Sequence, residues 1–404
     1  MATFSRSPLC PHVEQGNAGA NDPDGWLRTQ PVLPTGIKFM NLDACREAKA
    51  VNSNIFTVYR RFVANQWAYI ERGAEGGRAW VRDWRHVEGV DCGESPNEAI
   101  GFDDEAGWRL YNTFLLGFVE ECVRRNVTPV IANIAVGNPR EDLVALTRDA
   151  VQACGEVGGY VGYHGYGPAI IRDLEGERHG TAQYHGYTQD QVTAADLYLV
   201  SRGPLLLTPL WRQAGVTAAI RYLYTECLHD GCNTPIENGG MGALIGRRLP
   251  DGFIIDWPHI IRNHELYARR MVEIGIEKAF MFTFWGTAEW WAYEYTTRPQ
   301  MMEWYSRHLA EFVPEPPPPP PPPIRNARWV RRDATPYINI RHAPPGPDFD
   351  TGVDVGNLYP GCLVQLLETR GDWARVYVDA LASSIRVEVE GWVRVEYLTA
   401  TPGG

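Results

Sequence analysis

RYLYTECLHDG, residues 221 to 231, is a short aromatic and aliphatic run that halts on Glu226 just ahead of a Gly-containing loop. Tyr222, Leu223 and Tyr224 read as a buried strand. A strand that ends in an acid puts that acid at the rim of a sheet, where α/β barrels carry their chemistry. That placement predicts a barrel built around this strand and a second acid elsewhere on its rim.

Outward from this run, apolar segments of strand length alternate with longer stretches of helical period, the pattern of repeated βα units. Eight strands are expected, at Leu9 to Val13, Ile37 to Asn41, Ile55 to Arg60, Val87 to Asp91, Pro129 to Ile134, Tyr160 to His164, Tyr222 to Glu226 and Ala279 to Phe284. Helical stretches lie between them. Glu105 to Arg125 places Leu110, Phe114, Gly117, Phe118 and Glu121 at three- and four-residue steps, and Glu141 to Cys154, Asp190 to Gln213, Pro258 to Ile274 and Pro299 to Phe312 behave alike. Residues 14 to 36 are rich in Gly, Asn, Asp and Pro and show no helix. Eight strands with interleaved helices over about 300 residues predict an α/β fold, a (β/α)8 TIM barrel. The alternative, a doubly wound open sheet, usually carries a Gly-rich phosphate turn after its first strand, and the sequence has none.

VPEPPPPPPPP, residues 313 to 323, bounds this region, because unbroken prolines adopt extended polyproline II and cannot join a helix or central strand. Three parts follow: a barrel at residues 1 to 312, a stiff linker at 313 to 323, and a second domain at 324 to 404. Eight prolines at roughly 3.1 Å each span about 25 Å. After the linker the pattern becomes short alternating runs between Gly, Pro and Asp turns, which predicts a small all-β barrel.

The formal charge of −11 argues against a nucleic-acid partner, which would require a basic face. Lysine occurs only at 38, 49 and 278; with the arginines scattered, this reads as coding bias without functional weight. No secretory signal and no run of about 18 apolar residues is visible, so a soluble protein with no membrane partner is expected, and its compartment is left unknown. Eight cysteines are too few for a disulfide scaffold in 404 residues, and Cys10, Cys92 and Cys227 fall in or beside strands as small hydrophobes. Cys227 and Cys232 are spaced for a metal pair but lack a second pair. No metal or organic cofactor is expected, and the protein is expected to be a monomer.

The second acid lies in GESPNEA, residues 93 to 99, where Asn97 and Glu98 follow the fourth expected strand. Glu94, four residues earlier, is a rival. With Asn97-Glu98 after strand four, Glu226 at strand seven and Trp285 after strand eight, the chain resembles the large clan of retaining β-glycosidases built on a (β/α)8 barrel. It is similar in particular to bacterial members with Gly137-Asn138-Pro139 after strand five and Gly159-Tyr160-Val161-Gly162-Tyr163-His164 as strand six. The resemblance covers most of residues 1 to 312 and implies Glu98 as acid/base, Glu226 as nucleophile, Asn97 beside the acid and Trp285 lining the sugar site. It departs where the usual Asn-Glu-Pro is Asn-Glu-Ala. The C-terminal domain resembles bacterial SH3-like (SH3b) domains in Ile338-Asn339-Ile340-Arg341, Gly371-Asp372-Trp373, Ala374-Arg375-Val376, Gly391-Trp392-Val393 and Tyr397-Leu398; such domains are commonly attached to enzymes acting on cell walls or glycans.

Two acids suit this chemistry because a glycosidic bond breaks through an oxocarbenium-like state, which needs a proton on the leaving oxygen and negative charge at the anomeric face. An amide such as Asn97 suits a hydrogen bond to a sugar hydroxyl. His164 and Tyr166 would reach the rim from strand six, as sugar or carboxylate contacts or as satisfied core polar groups. Arg60 ends strand three and could hold a carboxylate ionised, unless the register turns Arg61 inward instead. His12 on strand one is open between core and site. FWGTAEWWAYEYTT, residues 284 to 297, offers Trp285, Trp290, Trp291, Tyr293 and Tyr295, on which sugars stack or which pack beneath the loop. The expectation is a retaining glycoside hydrolase acting on a β-linked glycan, with a carbohydrate or cell-wall partner. The alternatives are a non-catalytic glycan or cell-wall binding protein, and a phage lysin cutting peptidoglycan.

Overall fold

A computed structural model describes residues 3–14, 23–167, 170–172, 176, 180–229, 240–286 and 290–314, and 327–330, 338–341, 354–358, 363–378 and 389–399. The chain divides into two compact units, Met1–Glu315 and Pro316–Gly404. Most of the proline run lies outside the described residues.

The first unit is a closed barrel of eight parallel strands: β1 Leu9–Val13, β2 Gly36–Phe39, β3 Phe56–Tyr59, β4 Cys92–Glu94, β5 Thr128–Ile134, β6 Tyr160–Gly167, β7 Tyr222–His229 and β8 Ala279–Phe284. Each pairs with the next in sequence, and β8 closes on β1 with Ala279 opposite Leu9. Outside lie α1 Pro23–Thr29, α2 Leu42–Val51, α3 Gly73–Arg82, α4 Glu105–Arg124, α5 Arg148–Glu156, α6 Gln189–Ala195, α7 Thr208–Gln213, α8 Trp257–Glu273 and α9 Pro299–Glu311. Several helices start where a side chain accepts from an otherwise unpaired backbone N–H: Asn41 from Asp43, Asp104 from Gly107 and Asp256 from His259, at 2.8 to 2.9 Å. Each such cap stabilises its helix by about 1 kcal/mol.

Three expectations are corrected. Helix α1 forms where none was expected. The fourth strand starts at Cys92, because Gly89 takes φ +79° and Val90 N–H donates back to Val87, so that residues 87–90 turn. Asp91 then accepts from the Thr57 N–H and Lys49 at 2.8 and 2.6 Å. Finally, β7 does not halt on Glu226 but runs three residues further, to His229.

Inside the barrel the alternation of the strands produces layers. Cys10, Val58, Cys92, Val130, Tyr160, Leu223 and Phe280 form an apolar floor. One step along the same direction the interior turns polar, with His12, Lys38, Arg60, Glu94, Asn133 and Thr225 all buried. A polar interior layer is costly unless its members satisfy one another, and contacts crossing the barrel do so for part of it: Lys38 Nζ donates to Thr225 O of β7 at 2.8 Å, and Thr225 Oγ1 donates to Asn133 Oδ1 at 3.2 Å, whereas both ring nitrogens of His12 are buried without a hydrogen bond among the described residues.

The second unit is an antiparallel sheet of seven strands among the described residues, centred on Leu363–Arg370, Trp373–Val378 and Val389–Arg394. Gly371, at φ +56°, makes the tight turn between the first two of these. The all-β expectation holds. Among the described residues no helix of the chain is long and apolar enough to cross a membrane.

Helices α3 and α4 touch backbone to backbone through Gly77 and Gly117. A Cβ added at Gly117 would lie 1.9 Å from Ala74 O, and one at Gly77 would lie 2.0 Å from Phe114 O. Gly117→Ala is therefore expected to lower stability by about 1–3 kcal/mol, read as a reduced Tm. Gly101→Ala, where the added atom meets nothing within 4 Å, should stay near wild type.

Candidate active site

Strict alternation along β7 would send Glu226 outward with Tyr222 and Tyr224, whose hydroxyls donate to Gly203 O and Val200 O of the outer layer at 2.7 and 2.5 Å. The pairing with β6 shifts instead. Tyr163 lies opposite Tyr224 but His164 lies opposite Glu226, leaving Thr225 as an extra residue. This β-bulge puts two successive side chains on the inner face, and bulges re-aim side chains in this way at barrel rims. Glu226 thereby enters the barrel mouth at 5% exposure. Its Oε1 accepts from Arg60 Nη1 and lies 3.5 Å from Lys38 Nζ. Its Oε2 accepts from the Tyr166 hydroxyl at 2.8 Å and lies 3.5 Å from His164 Nδ1.

On the opposite rim, β4 ends with Glu94 inside and Ser95 outside, bonded to Tyr111. The chain then bends through Asn97 and Glu98. Gln66 clamps Asn97 from both sides of its amide, accepting from Asn97 N–H at 2.9 Å and donating to Asn97 O at 2.6 Å. Asn97 Oδ1 accepts from Arg60 Nη1 at 2.5 Å. Glu98 takes φ +43°, a left-handed conformation uncommon for a non-glycine residue. Its N–H donates to Asn133 O at 3.2 Å, and its Oε1 lies 2.6 Å from His164 Nδ1.

One imidazole nitrogen thus touches both acids. The contacting oxygens of Glu98 and Glu226 are therefore no more than about 6 Å apart, the sum of 2.6 and 3.5 Å. The rival, Glu94, is wholly buried beneath them and paired with Lys38 at 3.1 Å, whereas the Glu98 side chain is 40% exposed.

The electrostatics separate these carboxyls. Burial opposes ionisation of Glu226, but electrostatic interactions with His164, Arg60 and Lys38 outweigh it and hold its carboxyl well below the usual range. Burial pushes Glu94 upward, against the pull of Lys38 and Arg60. His12 is kept neutral by burial and by Lys38, and its ring lies 5.2 Å from that of Phe282.

The register turns Arg60 inward, while Arg61 lies outside on Tyr69 and Asp83 at 3.2 and 3.1 Å. His164 and Tyr166 both reach Glu226. Trp285 follows β8 directly; it is 7% exposed, and its described ring contacts are with Trp26, at 5.6 Å edge-on, and Phe284. Phe282, which the sequence reading passed over, packs on Tyr166 at 6.3 Å and on Trp290 and Tyr293 at 5.0 and 5.5 Å. The turn beyond β8 is held by Glu294, which accepts from the N–H groups of Trp285, Gly286 and Thr296. Tyr295 packs inward, stacked on Phe284 at 4.8 Å, and Trp291 is 59% exposed.

Lys38, Gln66 and Glu294 were also missed. A lysine between Ile37 and Phe39 on a barrel strand was the available signal, since such strands bury both faces. Gln66 and Glu294 carry no local signal, because their partners are remote or depend on loop shape.

Among the described residues no cluster of His, Cys, Asp or Glu could hold a metal, and the six described cysteines, Cys227 included, are buried and free. Cys232 lies outside the described residues. No family model and no curated protein matches the chain. Among solved structures, it is similar to CJP38, a beta-1,3-glucanase and allergen of Cryptomeria japonica pollen, at 11% identity and TM-score 0.40, over 72% of this chain and 94% of that one. It is also similar to a sugar phosphate isomerase/epimerase from Parabacteroides distasonis, at 13% identity and TM-score 0.28, over 75% and 93%.

Because the Glu226 carboxyl is held low in the folded state, it contributes stability that is fully present above the unfolded value near pH 4.3 and is lost as pH falls through the folded one. Arg60→Gln, which leaves a buried charge short of a partner, is expected to destabilise by about 3–5 kcal/mol at neutral pH. The gap from wild type should narrow as the solution is acidified below about pH 4. Thermal unfolding of both proteins from pH 3 to 8 checks this; a gap independent of pH would assign the loss to packing.

Proposed function

We propose that the barrel is a retaining glycoside hydrolase that cleaves a β-linked glycan, with Glu226 as nucleophile and Glu98 as acid/base. The observation that carries this reading is the shared contact of both carboxyls with His164 Nδ1, which brings one oxygen of each within about 6 Å of the other. A retaining pair stands about 5–5.5 Å apart, whereas an inverting pair needs roughly 6.5–9.5 Å to admit a water.

The two environments fit the two roles. Glu226 is buried, ionised and fixed by Arg60 and Tyr166, and its Oε2 is the oxygen on the His164 side. In the first step this carboxylate attacks the anomeric carbon while Glu98 gives its proton to the leaving oxygen, so a glycosyl ester forms and an alcohol departs. Glu98, partly exposed, is accessible to the leaving group and then to water. In the second step it takes a proton from water, whose oxygen attacks the anomeric carbon, breaking its bond to Glu226 and releasing the sugar and the carboxylate. Loss of charge on the esterified Glu226 makes Glu98 a weaker proton holder and suits the change from acid to base. Asn97, held by Arg60 and Gln66, is placed beside the acid for a sugar hydroxyl.

Aromatic surface supports a glycan as substrate. Phe282, Trp290 and Tyr293 pack together at the β8 side, and Phe62, Trp67, Phe102 and Trp291 are exposed in the segments after β3, β4 and β8. Sugar rings stack their CH faces on such groups. The C-terminal unit, SH3-like in its sequence motifs, is proposed to hold the enzyme to insoluble substrate.

Glu226→Gln is expected to abolish turnover of a chromogenic β-glycoside, since an amide cannot form the ester. Glu98→Gln should retain more activity on substrates whose leaving group needs no proton, and azide should restore part of its rate. A wild-type protein that binds glycans without cleaving them would favour a binding role. Residues 1–315 alone should keep activity on soluble oligosaccharide and lose affinity for insoluble glycan. Loss of soluble-substrate turnover in that folded fragment would remove the targeting role.

A further inference from the structure

Of the three lysines in the chain, Lys49 pairs with Asp91 at the surface and Lys278 lies over the Phe56 ring, whereas Lys38 is wholly buried inside the barrel. An ammonium at such a place must be fully satisfied. Lys38 Nζ donates to Thr225 O at 2.8 Å and lies 3.1 Å from Glu94 Oε2 and 3.5 Å from Glu226 Oε1. One of these is the carbonyl of the bulge residue that turns Glu226 inward; the other two are carboxylates competing for one cation.

We propose that Lys38 and Glu94 are positioning residues that set the charge of Glu226 from below: Lys38 pins the bulge and supplies a second cation, and Glu94 draws part of that cation away. This rests on the nucleophile role proposed for Glu226. With Arg60 the layer holds two cations and two carboxylates. When Glu226 is esterified one anion disappears, and Glu94 remains against Lys38 to keep that ammonium from being buried alone. The other groups facing Glu226 are His12 from β1, Arg60 from β3, Glu98 beyond β4, which shares His164 Nδ1 with it, and His164 and Tyr166 from β6, with Glu14 acting on Arg60; Asn133 of β5 and Phe282 of β8 bring no charge. The pair has opposite leverage. Lys38 favours the ionised form of Glu226, while the charge of Glu226 opposes ionisation of Glu94.

The test is titration of Glu226 in the full chain carrying 13C at the glutamate carboxyls, its resonance assigned by loss in Glu226→Gln. Lys38→Met is expected to raise the midpoint by about one to three pH units, the reach of an opposite charge at this range. Glu94→Gln should leave it at or below the wild-type value. If Lys38→Met does not fold, the double variant Lys38→Met/Glu94→Gln, which buries no lone ammonium or carboxylate there, replaces it and must still titrate above wild type. The acidic limb of kcat/KM on a chromogenic β-glycoside should move with the midpoint. A folded Lys38 variant titrating like wild type, or Glu94→Gln moving the midpoint upward, overturns the proposal. Absence of turnover in the wild type would overturn the hydrolase reading while the titration still decides the role of Lys38.

Discussion

The contact on which the candidate site depends is the ion pair of Arg60 with Glu226, joined from beneath by Lys38. A carboxylate at 5% exposure within a barrel pays several kcal/mol in lost hydration, which only cations and hydrogen-bond donors at contact distance offset. Meeting that condition fixes the relative placement of five strands. Arg60 must come from β3, Lys38 from β2, His164 and Tyr166 from β6, and Glu226 from β7, while Glu94 of β4 balances the second cation. An apolar floor of buried side chains lies below this layer.

The geometry above that layer is held by local departures from regular strand. Extra residues shift the pairing of β5 with β6, of β6 with β7, and of β8 with β1. Glu98, Ala132, Asn133, Leu228 and Trp285 all take positive φ without being glycine. Each such residue costs of order 1–3 kcal/mol and persists only where its surroundings over-determine it. Here the surroundings are identifiable. Asn133 donates to Ser95 O at 2.7 Å, Gln66 brackets Asn97, and Glu294 gathers three N–H groups beyond β8. The rim is irregular because its side chains are aimed, and the outer helix α4 shares in this through the Tyr111 hydroxyl, which lies 3.1 and 3.2 Å from Pro96 O and Ala132 O.

The same arrangement makes two chemically identical side chains unequal. Glu226 is surrounded by donors on the barrel wall, and Glu98 stands on a bend with 40% of its side chain open. His164 touches both and is itself inaccessible, so the distance between the acids is set by a residue that solvent does not reach.

Much of this was legible in the sequence. Apolar runs matched seven of the eight strands within a few residues, because a parallel strand buried on both faces must be apolar almost throughout. Glu98, Glu226, Asn97, Arg60, His164 and Tyr166 were all visible as polar residues at or just past strand ends. The start of β4 was misread because Val87 and Val90 are apolar in a turn that Gly89 makes. The sequence could not say that Glu226 faces inward. Its even spacing from Tyr222 and Tyr224 points outward, and only the bulge at Thr225 reverses it. A bulge is a mismatch in pairing between two strands, so no single strand encodes it. Lys38 looked like a residue of coding bias for the same reason: a buried ammonium is tolerable only where Thr225, Glu94 and Glu226 converge on it, and that convergence exists only once the barrel has closed.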